Sequence, residues 1–315
     1  MIAEELTLVI VGYKHEHYVT TLLESVEAQT MLPARILLVD DDPAGGTAEV
    51  AERYLAKSAL QVEVTRNQVN RGLCTSLNTA LTSIDTEYYA YISADDWMLP
   101  TRIRRQFDAI SAAPSTTAVV YSNAIRVDEA DRELDEDFKT AYDWPTHRSG
   151  QVYAEMSAYN WLPAPSVMLR TQAVRDVGGY DAELFFEDHD LWLRLAVGHE
   201  FLCVDEPLVA FRELGSSLGH QQFQTDNPRF VVAYLQILAK QLGISSTIDA
   251  DMFPRLWSLA LRLWRIEGAT PRVVAYLGSY VRGAQSLRVG KAYVRLAKMG
   301  VSYAALDRIR KLLRR

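Results

Sequence analysis

Residues 6–42 read LTLVIVGYKHEHYVTTLLESVEAQTMLPARILLVDDD, and the fold turns on how this stretch is read. The run Leu6 to Val11 is rich in branched residues and too continuous for a half-exposed strand, so it predicts a strand covered on both faces, as in a parallel sheet. From His15 to Gln29, Val19, Leu22, Leu23 and Val26 fall on one helical face. Arg35 to Asp40 returns as a second strand, and the Gly/Pro-containing loop DDPAGG closes the unit. Working outward, a helix around Thr47–Lys57, a strand at Gln61–Arg66, a helix at Gly72–Ile84 and a strand at Tyr88–Ser93 complete a βαβαβαβ series. Such alternation defines an α/β layer with right-handed crossovers.

Thr101–Ala112 then reads as a helix and Ala118–Val127 as a strand. The polar, aperiodic stretch Asp128–Ser149 reads as a long loop, a candidate lid. Pro165–Arg170 is a strand, Gly178–Gly179 a turn, and the apolar segment after Asp188 a buried helix. The stretch EFLCVDEPLVAFR, residues 200–212, predicts two further short strands. Beyond about Gly215 the pattern is helical only, which divides the chain into 1–215 and a helical region 216–315.

The 315 residues are 49% hydrophobic and 23% charged, which excludes a disordered chain. Cys74 and Cys203 lie too far apart in sequence for a disulfide framework or a structural zinc site. No apolar run is long enough for a membrane span and the first residues are acidic, so the expectation is a cytoplasmic protein. The net charge of -7 hides an asymmetry: from Arg255 onward, eleven Arg and three Lys face only Glu267 and Asp307, a net +12, leaving -19 on the rest. An acidic body excludes DNA as a partner. The basic region suits an anionic membrane surface, packing on the body, or a contact between copies of the chain.

In an open α/β sheet, ligands sit outside the carboxyl ends of the strands. Strand one ends in Gly12-Tyr13-Lys14, strand two in Asp40-Asp41-Asp42 and strand four in Ser93-Ala94-Asp95-Asp96. Carboxylates at such an end suit Mg²⁺ or Mn²⁺, or else start a turn or the helix at Thr101. The Asp40–Asp42 cluster either accepts hydrogen bonds from a nucleoside or starts the turn before Thr47. Tyr13 either stacks on a base or packs. Glu187 and Asp188 open a buried helix, where carboxylates are costly unless bonded or working; Asp188 is either a helix cap or a general base.

The motifs LTLVIVGYKHEHYVTTLLESVEAQT, RILLVDDDP, NRGLCTSLNTAL, EYYAYISADDWMLP and VGGYDAELFFEDHDLWLRL, in this order, resemble the family 2 glycosyltransferases of GT-A fold across residues 5–213. The resemblance implies a Rossmann-like, mostly parallel sheet and inverting transfer of a sugar from a nucleotide-diphosphate donor, a UDP-sugar first among them. The acceptor it implies is a hydroxyl of a glycan or lipid-linked molecule in bacterial surface polysaccharide synthesis. It places Tyr13 and Asp41 at the nucleotide base and Arg71 and Asn78 on the donor side. Asp95, with Asp96 beside it, becomes the metal-binding aspartate, Asp188 the catalytic base and Glu187 its partner. Ser93 stands where the family has an aspartate that contacts the donor ribose. Leu214 stands where a histidine often completes the metal shell, leaving His220 as a substitute ligand. The rival reading is a catalytically silent sugar-nucleotide-binding scaffold.

Overall fold

The computed structural model describes residues 1–215 and 226–313. The chain forms two compact units, Met1–Leu214 and Gly215–Arg315. In the first, strands β1 (Ile2–Gly12), β2 (Leu32–Asp40), β3 (Glu63–Arg66), β4 (Tyr88–Ser93), β5 (Trp97–Met98), β6 (Thr117–Val127), β7 (Met168–Arg170) and β8 (Glu200–Arg212) form one sheet in the order β3-β2-β1-β4-β7-β6-β8-β5. Pairs β1–β2, β1–β4, β2–β3 and β6–β8 are parallel, and the pairs to β7 and β5 are antiparallel.

Both faces of the central strands are covered, which is why their sequences run apolar without alternating. Leu8 and Ile10 pack with Ile36, Leu38, Ala90 and Ile92 under α1 (Val19–Glu27), α2 (Gly46–Leu55) and α4 (Arg102–Ala112). The residues of α1 that this face buries are Val19, Leu22, Leu23 and Val26, the stripe expected from spacing. The helix α3 (Leu73–Ser83) buries Cys74, Leu77, Ala80 and Leu81.

The direction of winding positions the site. From β1 the chain steps outward through β2 to β3, then returns to add β4 on the other side of β1. The carboxyl ends of β1 and β4 therefore flank a topological switch point, where the two crossovers diverge and leave a crevice.

Two expectations are corrected. Residues 200–212 form one strand, not two: Pro207, which lacks an N–H, falls in an irregular register opposite Ser122–Asn123, so a bulge absorbs the apparent break. Residues 128–149 are tied down over much of their length. They carry the short helix α5 (Phe138–Ala141), capped by Asp137, whose carboxylate also accepts from Asn123 Nδ2 at 2.6 Å. Trp144 is buried against Tyr121 and Trp161, and Lys139 and Arg148 both pair with Asp205. This unit also carries α6 (Tyr153–Ala158), a short 3-10 turn at Ala164–Ser166, α7 (Thr171–Asp176) and α8 (Asp188–Ala196).

The second unit contains α9 (Pro228–Ala239), α10 (Ser246–Glu267), α11 (Pro271–Ser279), α12 (Leu287–Lys298) and α13 (Tyr303–Leu313). Asn227, Ser245 and Thr270 cap the first three through their side chains. Its core gathers Leu235, Leu256, Leu263, Trp264 and Leu277. The basic stretch 294–313 is not one amphipathic helix: Gly300, at φ +79°, separates α12 from α13, and Ala297, Tyr303 and Leu306 pack inward. No described helix is long and apolar enough to cross a membrane.

Candidate active site

The turn after β1 is set by close packing. A Cβ at Gly12 would lie 2.6 Å from Thr47 Cγ2, so only glycine admits the start of α2 at this point. Thr47 Oγ1 in turn accepts the backbone N–H of His15 at 2.9 Å. Tyr13 projects from this turn 41% exposed, with Lys14 Nζ 5.1 Å above its ring.

The three acids after β2 divide their work. Asp40 is fully buried and accepts from Ala48 N at 2.7 Å and Asp42 N at 3.0 Å, so it starts α2; burial pushes its carboxyl above the ordinary range. Asp41 holds the next loop, accepting from Asn67 Nδ2 (2.7 Å), Arg71 N (2.9 Å) and Gly72 N (2.7 Å). Three bonds leave about one of a carboxylate's four acceptor sites for another donor. The Arg71 side chain is exposed.

At the end of β4, Ser93 is half-buried opposite Val11 of β1. Asp95 and Asp96 do not cap α4, whose first turn is served instead by Gln29: Oε1 accepts from Ile103 N at 3.1 Å and Nε2 donates to Leu99 O at 2.8 Å. Asp96 is buried and accepts the backbone N–H of Arg212 at 2.8 Å, and burial beside Asp95 drives its carboxyl far above the usual range. Burial lowers the facing Arg102 guanidinium to about 9. Asp96 thus belongs to the framework. Asp95 Oδ1, by contrast, is shut from solvent with no hydrogen-bond partner.

Arg212, at the end of β8, fixes this turn. Its Nε donates to the Asp95 carbonyl at 2.7 Å and its Nη1 to the carbonyls of Asp128 (3.1 Å) and Glu129 (3.4 Å), and it pairs with Asp131. The guanidinium lies 4.4 Å from the Tyr18 ring and 5.1 Å from that of Trp97.

The other acidic pair hangs from the same strand. Tyr91 of β4 donates its hydroxyl to Glu187 Oε1 at 2.8 Å. Asp188, at the head of α8, accepts from Asn160 Nδ2 at 2.6 Å and from His189 N at 2.7 Å. Burial and the neighbouring Asp188 charge raise the Glu187 carboxyl to about 8, and burial also raises Asp188. Asp188 has two donors, one an orphan helix N–H, whereas Glu187 has one phenol. At neutral pH the pair's proton therefore resides on Glu187, and Asp188 carries the charge.

This has a stability consequence. Folded Glu187 keeps its proton up to about 8, while in the unfolded chain it loses it near 4.5, so the folded state binds more protons between these values and stability falls as pH rises through that window. Glu187→Gln abolishes this slope. Urea midpoints compared at pH 5 and pH 8.5 are expected to favour the variant by about 1 kcal/mol or more at the higher pH; parallel profiles for the two proteins contradict the assignment.

Asn78 does not face a ligand with its amide. Its Nδ2 donates to Tyr180 O at 2.7 Å and its Oδ1 accepts from Tyr180 N at 2.9 Å, locking α3 to the Gly178–Gly179 turn. Arg194 holds the same turn from α8, donating to Val177 O (2.6 Å) and Gly179 O (2.8 Å) while pairing with Asp190. His220 lies outside the described residues. Among the described residues no group of three or more His, Cys, Asp or Glu is placed to hold a metal ion. Any cation at Asp95 must complete its shell largely with diphosphate oxygens and water, as Mg²⁺ and Mn²⁺ sites on nucleotides do. The orphaned Asp95 oxygen fits that role.

Around β4 the structure thus places Asp95, whose Oδ1 has no hydrogen-bond partner, and the Glu187–Asp188 pair raised by burial. Residues 7–162 match the family Glycosyl transferase family 2, and the chain belongs to that family. EpsH of Bacillus subtilis is 29% identical over 136 residues, 43% of this chain and 38% of that protein. The amylovoran biosynthesis glycosyltransferase AmsE of Erwinia amylovora is 28% identical over 192 residues, 60% of this chain and 68% of its own. Among solved structures, TarS of S. aureus in complex with UDP-GlcNAc superposes with a TM-score of 0.64 at 15% identity, covering 94% of this chain and 88% of the other. The mannosyltransferase PcManGT of Pyrobaculum calidifontis, in complex with GDP-Man and Mn²⁺, gives 0.57 at 16% identity over 96% and 82%. The fold is thus GT-A-like, followed by a helical region.

Proposed function

We propose that the first unit transfers a sugar, with inversion, from a nucleoside-diphosphate donor to a hydroxyl of a glycan or lipid-linked acceptor in surface polysaccharide synthesis. The observation that carries this reading is the Glu187–Asp188 pair, in which Asp188 is held as the ionised member by Asn160 and His189 N. Asp188 takes the acceptor hydroxyl's proton as that oxygen bonds to the anomeric carbon and the bond from carbon to the diphosphate oxygen breaks. Base action during bond formation contributes about 10²- to 10⁴-fold. Tyr13 offers an exposed ring to the base, Asp41 its remaining acceptor site, and Arg71 an exposed guanidinium to the donor. Ser93 offers a hydroxyl near the ribose. Asn78 and Asp96 act through the backbone they hold. A divalent ion on Asp95, Mn²⁺ or Mg²⁺, supplies charge against the leaving diphosphate.

A lipid-linked acceptor agrees with α12, where Arg288, Lys291, Arg295 and Lys298 recur every three to four residues and are all exposed, a stripe that attracts anionic headgroups at a cytoplasmic membrane face. UDP is the first nucleotide to test. Calorimetry of UDP binding is expected to show Mn²⁺ dependence in the wild type and a loss of about tenfold or more in Asp95→Ala. Equal affinity for the two proteins in Mn²⁺ contradicts the donor site.

A further inference from the structure

A side chain from the turn after β1 faces the free oxygen of Asp95. His15 Nδ1 lies 3.7 Å from Asp95 Oδ1. That is too long for a hydrogen bond. Both atoms are shut from solvent, and neither has a hydrogen-bond partner. Two buried polar atoms left facing each other across such a gap cost free energy unless something sits between them or joins them on binding.

We infer that His15 is the second protein ligand of a divalent cation held by Asp95. The inference rests on the donor-binding reading above and adds to it a residue belonging to this chain's own β1–α1 turn. The separation suits it, since two metal–ligand bonds of about 2.1 Å span 3.7 Å with the cation off the line between the atoms. Both residues are also fixed before any cation arrives. The His15 backbone N–H is held by Thr47 Oγ1, and its carbonyl accepts from Tyr18 N and Val19 N at the start of α1. Its ring stands edge-on to Tyr18 at 6.5 Å. Tyr18 lies under the Arg212 guanidinium, which itself grips the Asp95 carbonyl. One buried cation thus braces both ligand-bearing turns. The imidazole takes the place of the histidine absent from position 214, where Leu214 is buried. A mixed nitrogen and carboxylate pair also favours Mn²⁺ over Mg²⁺, because Mg²⁺ prefers oxygen ligands.

The test is pulsed electron paramagnetic resonance of the full chain with Mn²⁺ and UDP. The wild type is expected to show a ¹⁴N coupling from a directly bound imidazole. In His15→Ala that coupling disappears and Mn²⁺ affinity measured by titration falls about tenfold or more. Bound Mn²⁺ without nitrogen coupling in the wild type overturns the His15 assignment and leaves Asp95 standing. A coupling that survives in His15→Ala overturns it too, since another histidine must then be the ligand. Failure of the wild type to bind Mn²⁺ with UDP overturns this inference together with the metal role of Asp95. The wild-type spectrum is decisive whether or not the variant folds.

Discussion

Asp188→Asn lowers the rate of sugar transfer by about 10²- to 10⁴-fold and leaves donor affinity unchanged. The substitution preserves shape and keeps Oδ1 for the His189 N–H, so α8 starts as before, while its NH2 replaces the oxygen that accepts from Asn160 Nδ2. What it removes is the basic lone pair that receives the acceptor's proton. Glu187 does not replace it, because burial still holds that carboxyl above the ordinary range and Tyr91 holds it in place. Steady-state transfer rates together with calorimetric donor binding separate the two effects. A variant with wild-type rates shows that Asp188 is only a helix-start residue.

Arg212→Met unfolds at markedly lower urea, with a loss of about 3–5 kcal/mol. The side chain is almost wholly buried, and it joins the Asp95 carbonyl to the carbonyls of Asp128 and Glu129. Methionine keeps the apolar stem but donates nothing, so the Asp95 and Glu129 carbonyls lose their donor at about 1–3 kcal/mol for each that stays dry, while the Asp128 carbonyl keeps Asp131 N. The ring contacts to Tyr18 and Trp97 go as well. Arg212→Lys keeps the charge but not the planar fork, and recovers only part of the loss. A change below about 1 kcal/mol in Arg212→Met, measured from urea curves with unchanged slope, contradicts this account of how the Asp95 turn is held.

The strands that build the crevice were legible because each is apolar on both faces. Tyr88–Ser93 has the bounds its sequence implies. Residues 200–212 misled because a proline after two acids signals a turn, and only the partner strand shows that a bulge accommodates it. The antiparallel direction of β7 is a property of the whole sheet that no local run encodes.

The site divides the same way. Asp95 and Asp188 stand out because acids beside apolar runs are costly, and the structure gives each a setting that accounts for the cost. Asn160, Asn67 and His15 carry no local signal, since each matters through a neighbour distant in sequence. Arg212 had one clue, a charge ending an apolar strand. Asn78 shows the converse: it sits in a recognisable motif, yet its amide is spent on Tyr180, 102 residues away.

The proposed reaction breaks the bond between a sugar and a nucleoside diphosphate. The direct measurement is ³¹P NMR of the wild-type protein with UDP- and GDP-sugars, Mn²⁺ and a panel of glycan and lipid-linked acceptors. One donor's diphosphate-ester signals are expected to convert to those of the free nucleoside diphosphate, in a Mn²⁺-dependent reaction that Asp188→Asn nearly abolishes. A donor that binds in the presence of Mn²⁺ and stays intact with every acceptor contradicts it and identifies a silent scaffold instead.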